Sequence, residues 1–167
     1  KLGLDRTLQE LVKHGLDAIA ETKNQVGKIV ATRKDAEAKA VDEYKKALEL
    51  RRAATKYGLD EEAKLYDKSA NEIKSKITAI QQTAIKELLK VKDSLGATMS
   101  TEWQTKVDTS TFKKVSDEYD KLSKLIESEQ TRHQNKLQSD LDNAHKLKLE
   151  ALRNQARQEV QIAQDTN

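Results

Sequence analysis

Three histidines, at positions 14, 133 and 145, are the side chains best suited to acid–base or metal chemistry near neutral pH. No two of them stand at i and i+4, the helical spacing that places two imidazoles on one metal ion. His133 and His145 are separated by about 18 Å if they share one helix. We therefore predict solvated histidines and no metal site. His133 lies close to the line of an apolar seam, which makes it the candidate for a polar, pH-sensitive position in a helical core.

The carboxylates are numerous but do not form a recognisable acid–base pair. Adjacent acids such as Glu61 and Glu62 lie in polar sequence, where nothing would raise the pKa of one carboxyl and not the other. The sequence has no cysteine, no glycine-rich phosphate loop and no serine or cysteine nucleophile elbow. We predict that the protein is not an enzyme and has no catalytic, cofactor-binding or metal-binding residue.

Large side chains are scarce, and three of them stand near one predicted turn. Aromatic residues make up 4% of the chain, yet Met99, Trp103 and Phe112 fall within a short stretch. As a group they are expected to plug the end of a helical bundle. If the aromatic rings were exposed they would instead mark a binding tip, so Trp103 and Phe112 are candidate partner-binding residues.

The composition is typical of long helices around a thin core. The 167 residues are 36% apolar and 35% charged, with no proline and five glycines. The 31 basic and 28 acidic residues are interleaved and leave a net charge of +3, a weak field that argues against nucleic acid as a partner. No apolar run approaches the length of a membrane span, and membrane binding is disfavoured. The compartment stays unassigned.

The stretch from 60 to 95 has the most regular apolar pattern and predicts a middle helix. Its apolar residues follow one another at intervals of three or four: Tyr66, Ala70, Ile73, Ile77, Ile80, Ala84, Leu88, Val91 and Leu95. Ile85 and Leu89 widen this face enough to meet two neighbouring helices. We predict helix A over about 4–57, helix B over about 60–95 and helix C over about 100–164, in a single domain covering 1–167.

Local signals set the predicted helix ends. Gly58 suits the left-handed position after helix A, and Asp60 the N-cap of helix B. Gly96 is expected to end helix B, and a capping box at Thr101 to open helix C, with a short break at 108–111 also compatible with the sequence.

Two interior glycines bear on the stability of helix A. Gly15 and Gly27 are each expected to cost roughly 1 kcal/mol relative to alanine, so the first third of the chain is predicted to be the softest helical part.

The topology follows from the helix lengths. With tight turns, Leu95 should lie level with about residue 22, and the first turn level with about residue 136. Residue 136 is the last of ten consecutive residues, 127–136, that carry no apolar side chain. We predict an elongated antiparallel three-helix bundle with staggered ends, in which 1–21 and 137–163 are left uncovered. The alternative is a four-helix bundle whose last helix folds back near 127–136.

The predicted overhangs carry apolar residues that need a partner. Leu8 and Leu11 lie on the first overhang, and Leu141 and Leu152 on the second, so all four are candidate partner-binding residues. The expected partner is a protein: a second copy, flanking parts of a longer chain of which this sequence would be a segment, or a receptor. Because the chain opens on Lys1 rather than Met, we expect it to be a segment of a longer protein.

These features favour a non-enzymatic helical rod that spaces or binds other proteins. In its patterning alone the chain resembles antiparallel coiled-coil rods, including spectrin-like repeats and the helical hairpins of colicin-type toxins. One alternative is a receptor-recognition or delivery domain of a surface-acting protein such as a bacteriocin or adhesin. A second is a helical bundle that binds lipid surfaces.

Overall fold

The protein is an all-α helical bundle, as the sequence predicts. A computed structural model describes the backbone of residues 2–166, with the side chains of 6–136, 139, 143, 146, 150 and 153–165. The described residues form four helices and no strand: α1 Leu2–Lys56, α2 Asp60–Thr98, α3 Thr101–Lys106 and α4 Thr109–Thr166.

The turn between α1 and α2 is closed by a glycine in the left-handed conformation, as predicted for Gly58. Gly58 has φ +71°, and its N–H donates to the carbonyl of Thr55 at 3.2 Å, while the N–H of Leu59 donates to the carbonyl of Ala54 at 2.8 Å. These two bonds form a Schellman motif. The Leu59 carbonyl accepts the first hydrogen bond of α2, so Asp60 is the first helical residue and not the N-cap that we predicted.

The second connection differs from the prediction in its caps. Gly96 does not end α2, which continues to Thr98. The hydroxyl of Ser100 accepts the backbone N–H of Trp103 at 3.3 Å and caps α3. The N-cap therefore lies one residue before the predicted Thr101, because the extended backbone at Ser100 aims its hydroxyl at the first turn.

A break separates α3 from α4 and lies where the polar run at 108–111 allowed one. The carboxylate of Asp108 accepts the backbone N–H of Thr111 at 3.1 Å, and its carbonyl accepts that of Phe112 at 3.1 Å. Asp108 thus caps α4. From Thr109 the helix α4 runs without interruption to Thr166, so the alternative in which the chain folds back near 127–136 is wrong.

Two compact units divide the chain: a first unit, Lys1–Asp35 with Gln81–Thr131, and a second unit, Ala36–Ile80 with Arg132–Asn167. In the first unit α1, α2 and α4 share one core. One part of it consists of buried Leu88, Val91, Leu122 and Ile126 with half-buried Val26, Ile29 and Leu125. Ion pairs from Lys23 to Glu118 and from Arg33 to Glu129 show that α1 and α4 are parallel there.

In the second unit α1 and α2 pack as an antiparallel pair. Tyr44, Ala47 and Ala70 are buried together, with Leu48 and Ile73 against them. Arg51 Nε lies 3.5 Å from Asp67, and Lys76 Nζ lies 3.7 Å from Glu43. The residue numbers rise along one helix as they fall along the other, which is the predicted direction.

The predicted register of α4 against α1 is wrong, so the segment 137–163 does not start level with the turn at Gly58. In the second unit Lys136 Nζ lies 2.5 Å from the Glu37 carboxylate, far from the turn at Gly58. A cleft against the last two turns of α1 is lined by four residues of α4: Asn154, Gln155, Arg157 and Gln158.

The difference between the predicted and the observed register of α4 originates in the first unit. There the short helix α3 and the break after it carry the chain past the level of Leu95. Thr111, near the start of α4, therefore packs beside Gly15. The predicted first overhang is covered in part for the same reason, since Leu11, Ala18 and Ile19 pack against Trp103 and its neighbours.

Candidate functional site

The aromatic residues predicted to bind a partner are part of the core of the first unit. Trp103 is 4% exposed and shares a buried cluster with Leu95 and Val115. Its indole N–H donates to the carbonyl of Leu11 at 3.0 Å, so the one polar atom of the ring is satisfied inside the protein. Phe112 is half-buried beside it, with ring centroids 6.3 Å apart. Burial favours the interpretation of this group as a core plug.

The other predicted contact residues fall in different environments. Leu11 is half-buried against the Trp103 cluster, whereas Leu8 is exposed. The side chains of Leu141 and Leu152 lie outside the described residues. The structure therefore brings Leu11 together with the aromatic pair and leaves Leu8 at the surface.

The histidines also differ. His14 is exposed, as predicted, and the side chain of His145 lies outside the described residues. His133 is buried in the second unit, with 5% of its surface exposed. The alternative singled out for His133, a polar position within the helical core, is the one that its burial favours.

The first unit contains a buried ion pair that we did not predict from the sequence. Arg33 is 2% exposed and Glu129 6%. Arg33 Nε lies 3.0 Å from one carboxylate oxygen of Glu129, and Arg33 Nη2 donates to the other at 3.1 Å. The guanidinium therefore faces both carboxylate oxygens, donating a hydrogen bond to one and lying within ion-pair distance of the other.

The second unit buries a carboxylate at a comparable position. Glu37 is 1% exposed, and Lys136 Nζ and Arg132 Nη2 approach it at 2.5 and 3.8 Å. Two cations thus compensate the cost of removing this charge from water. The polar decade 127–136 is therefore not where the core ends, because it supplies the partners of the buried charges of α1.

A signal for these charges exists in the sequence. The three-and-four spacing of α4 continues from Leu122 and Ile126 onto Glu129 and His133. The same spacing along α1 falls on Arg33 and Glu37. Charges of opposite sign on two seams would have indicated buried pairs, but the pairing itself depends on the register of the helices.

The second unit exposes several large apolar side chains near the turn between α1 and α2. Tyr57 is 73% exposed and Leu65 is 66% exposed. Leu50 and Leu59 are also exposed, as are Val160 and Ile162 near the end of α4. We call Leu50, Tyr57, Leu59 and Leu65 the turn surface. Leu50 lies in the last two turns of α1, and Tyr57 directly follows the last residue of that helix.

An open cleft of about 540 Å³ adjoins the turn surface within the second unit. Its wall includes the side chains of Glu49, Arg52, Lys56, Tyr57, Asn154 and Arg157. The charged members are three cations and one carboxylate. The ammonium of Lys56 lies 5.9 Å from the centre of the Tyr57 ring, within reach of a cation–π interaction.

Two carboxyls of the first unit have a lowered pKa: that of Glu102, which is exposed, and that of Asp108, which is half-buried. A hydrogen bond from the Thr111 side chain lowers the pKa of Asp108, and the Thr111 backbone N–H adds to this effect. The pKa of Glu102 is lowered by its hydrogen bond to Lys106, 2.9 Å away, and by the charge of that lysine. Both shifts are the ordinary result of capping and pairing on helices.

Over the described residues, no three His, Asp or Glu side chains converge to hold a metal ion, and none of the helices is long and apolar enough to cross a bilayer. Searches with the chain found no match among protein-family models, curated proteins or solved structures. The class of the protein is therefore given by its fold, an all-α helical bundle.

Proposed function

We propose that the protein is a non-enzymatic module, packed as an antiparallel coiled coil, that binds another protein through the turn surface of its second unit. The observation that carries this proposal is the exposure of Tyr57 and Leu65 beside Leu50 and Leu59. Isolated exposed apolar residues are common, but several at one end of a domain are typical of interaction sites. Tyrosine is also enriched in protein interfaces, where its ring contributes a large contact area.

The buried charges support a structural role for the helical core. Arg33 is engaged by Glu129 in the first unit, and Glu37 by Lys136 in the second. Such pairs select one alignment of the helices, as polar residues at core positions of coiled coils do. A core aligned in this way would present the turn surface in a constant geometry.

The proposal is tested by capture of partners from cells that produce the protein. The variant Tyr57→Ser/Leu65→Ser removes two exposed side chains that α1 and α2 do not need for packing. Leu16→Ser is the control, since Leu16 is also an exposed large apolar residue but lies in the first unit. Surface changes of this kind alter stability by less than about 0.5 kcal/mol, so all three proteins should be equally folded.

We expect the wild-type protein and Leu16→Ser to recover the same partner, and Tyr57→Ser/Leu65→Ser to lose it. Sedimentation of the purified proteins shows whether that partner is a second copy, because the dimer would then dissociate in the double variant alone. Equal recovery by all three proteins, or a wild-type protein that is monomeric and recovers no partner, contradicts the proposal.

A further inference from the structure

We infer that the cleft of the second unit binds an acidic segment of the partner protein, with carboxylates placed against Arg52 and Arg157. This inference rests on the proposed function, because it assigns the chemistry of the partner that meets the turn surface. The cleft and the turn surface share Tyr57, so one bound segment would contact both.

The first argument is the unbalanced charge of the cleft. Arg52, Lys56 and Arg157 contribute three positive charges to its wall, and Glu49 contributes one negative charge. The positively charged side chains repel one another across the cleft, and an anionic ligand would relieve that repulsion. Over the whole chain, by contrast, the two signs are nearly balanced, at 31 basic and 28 acidic residues.

The second argument is that, among the described residues, the two arginines of the cleft are not engaged in ion pairs. The ion pairs found among the described residues engage Arg33, Arg51 and Arg132, but none of them engages Arg52 or Arg157. A guanidinium presents a planar fork of N–H donors that matches a carboxylate. Two such groups in one cleft favour a ligand with more than one carboxylate.

The third argument is the shape and lining of the site. The cleft is open, and its volume of about 540 Å³ falls within the range of ligand sites, roughly 300–1,000 Å³. The amide of Asn154 adds hydrogen-bonding groups and the ring of Tyr57 adds an apolar wall. An open cleft of this size admits the side chains of a peptide.

The test is selection of short random peptides displayed on phage against the folded protein. Selected peptides are then measured by fluorescence anisotropy with the wild-type protein, with Arg52→Gln/Arg157→Gln and with the matched control Lys86→Gln/Lys90→Gln. The control removes the same charge from two exposed positions of α2 in the first unit. Vesicles containing phosphatidylserine are measured in parallel.

We expect the selected peptides to be enriched in Asp and Glu and to bind more weakly as salt is added. Binding should fall roughly three- to tenfold in Arg52→Gln/Arg157→Gln, as expected for two partly exposed charge pairs, and should be unchanged in Lys86→Gln/Lys90→Gln.

Other outcomes overturn the inference. Peptides without acidic enrichment exclude an acidic ligand, and an equal loss in both double variants shows an effect of net charge alone. Binding to vesicles without binding to acidic peptides indicates a lipid surface. If any of these occurs while Tyr57→Ser/Leu65→Ser still loses its protein partner, the proposed function stands and only the acidic ligand is wrong.

Discussion

Replacing each of two glycines of α1 by alanine should change stability in opposite directions. At Gly27 a new Cβ would meet no atom within 4 Å, so it would point into open space. At Gly15 a Cβ would lie 2.8 Å from Cζ2 of Trp103, closer than carbon atoms can pack. The sequence alone predicts the same cost for both glycines, and only the packing separates them.

The expected change in the free energy of unfolding follows from two opposing effects. Alanine is favoured over glycine in a helix interior by about 1 kcal/mol, and Gly27→Ala should gain up to that amount. The indole of Trp103 is rigid and tied to the Leu11 carbonyl by its N–H, so it cannot move aside without losing a hydrogen bond. Overpacking of this kind costs about 1–3 kcal/mol. Gly15→Ala should therefore lose about 1 kcal/mol net, and the two variants should differ by about 2 kcal/mol.

Urea unfolding followed by far-ultraviolet circular dichroism measures this difference, with equal slopes required for the three proteins. The melting temperature should rise by about 2–4 °C for Gly27→Ala and fall by a similar amount for Gly15→Ala. If Gly15→Ala stabilises the protein as much as Gly27→Ala does, the close approach of Trp103 to α1 is refuted.

Two further predictions concern charged groups. Arg33→Leu and Glu129→Leu should each destabilise the protein by about 3–5 kcal/mol, because each leaves a buried charge without its main partner. The double variant should recover most of this loss. If urea unfolding shows that the two losses add in the double variant, a direct pair is contradicted. Asp108→Asn keeps an oxygen that can accept the Thr111 N–H but removes the charge. Since the folded-state pKa of Asp108 is lowered, its charge stabilises the fold above the ordinary value of 3.8, and the advantage of the wild-type protein should disappear as the pH falls through the lowered pKa. A difference that is independent of pH would show that the charge has no role.

Local patterns were sufficient to predict the helices and the first turn. The three-and-four spacing between 60 and 95 and the Gly58 end of α1 depend on residues close in sequence. The predicted N-caps each lay one residue after the observed ones, Ser100 and Leu59. Several adjacent residues could act as the cap, and the backbone conformation of the connection selects one of them.

The candidate site could not be predicted in the same way. Arg52 and Lys56 belong to α1, whereas Arg157 lies about a hundred residues later in α4. Nothing local relates these positions, and the predicted register placed residue 136 where 154–158 in fact lie. The error arose from α3 and the break at Asp108, which advance the chain by a distance that helix lengths alone do not reveal.

The sequence by itself determined that the chain is helical, where α1 turns into α2, and which faces are apolar, because each depends on contacts within a few residues. The tertiary structure decided that Arg33 meets Glu129, that Trp103 fills the space beside Gly15, and that three cations surround one cleft. These depend on the register of long helices, which is set by side chains far apart in the chain.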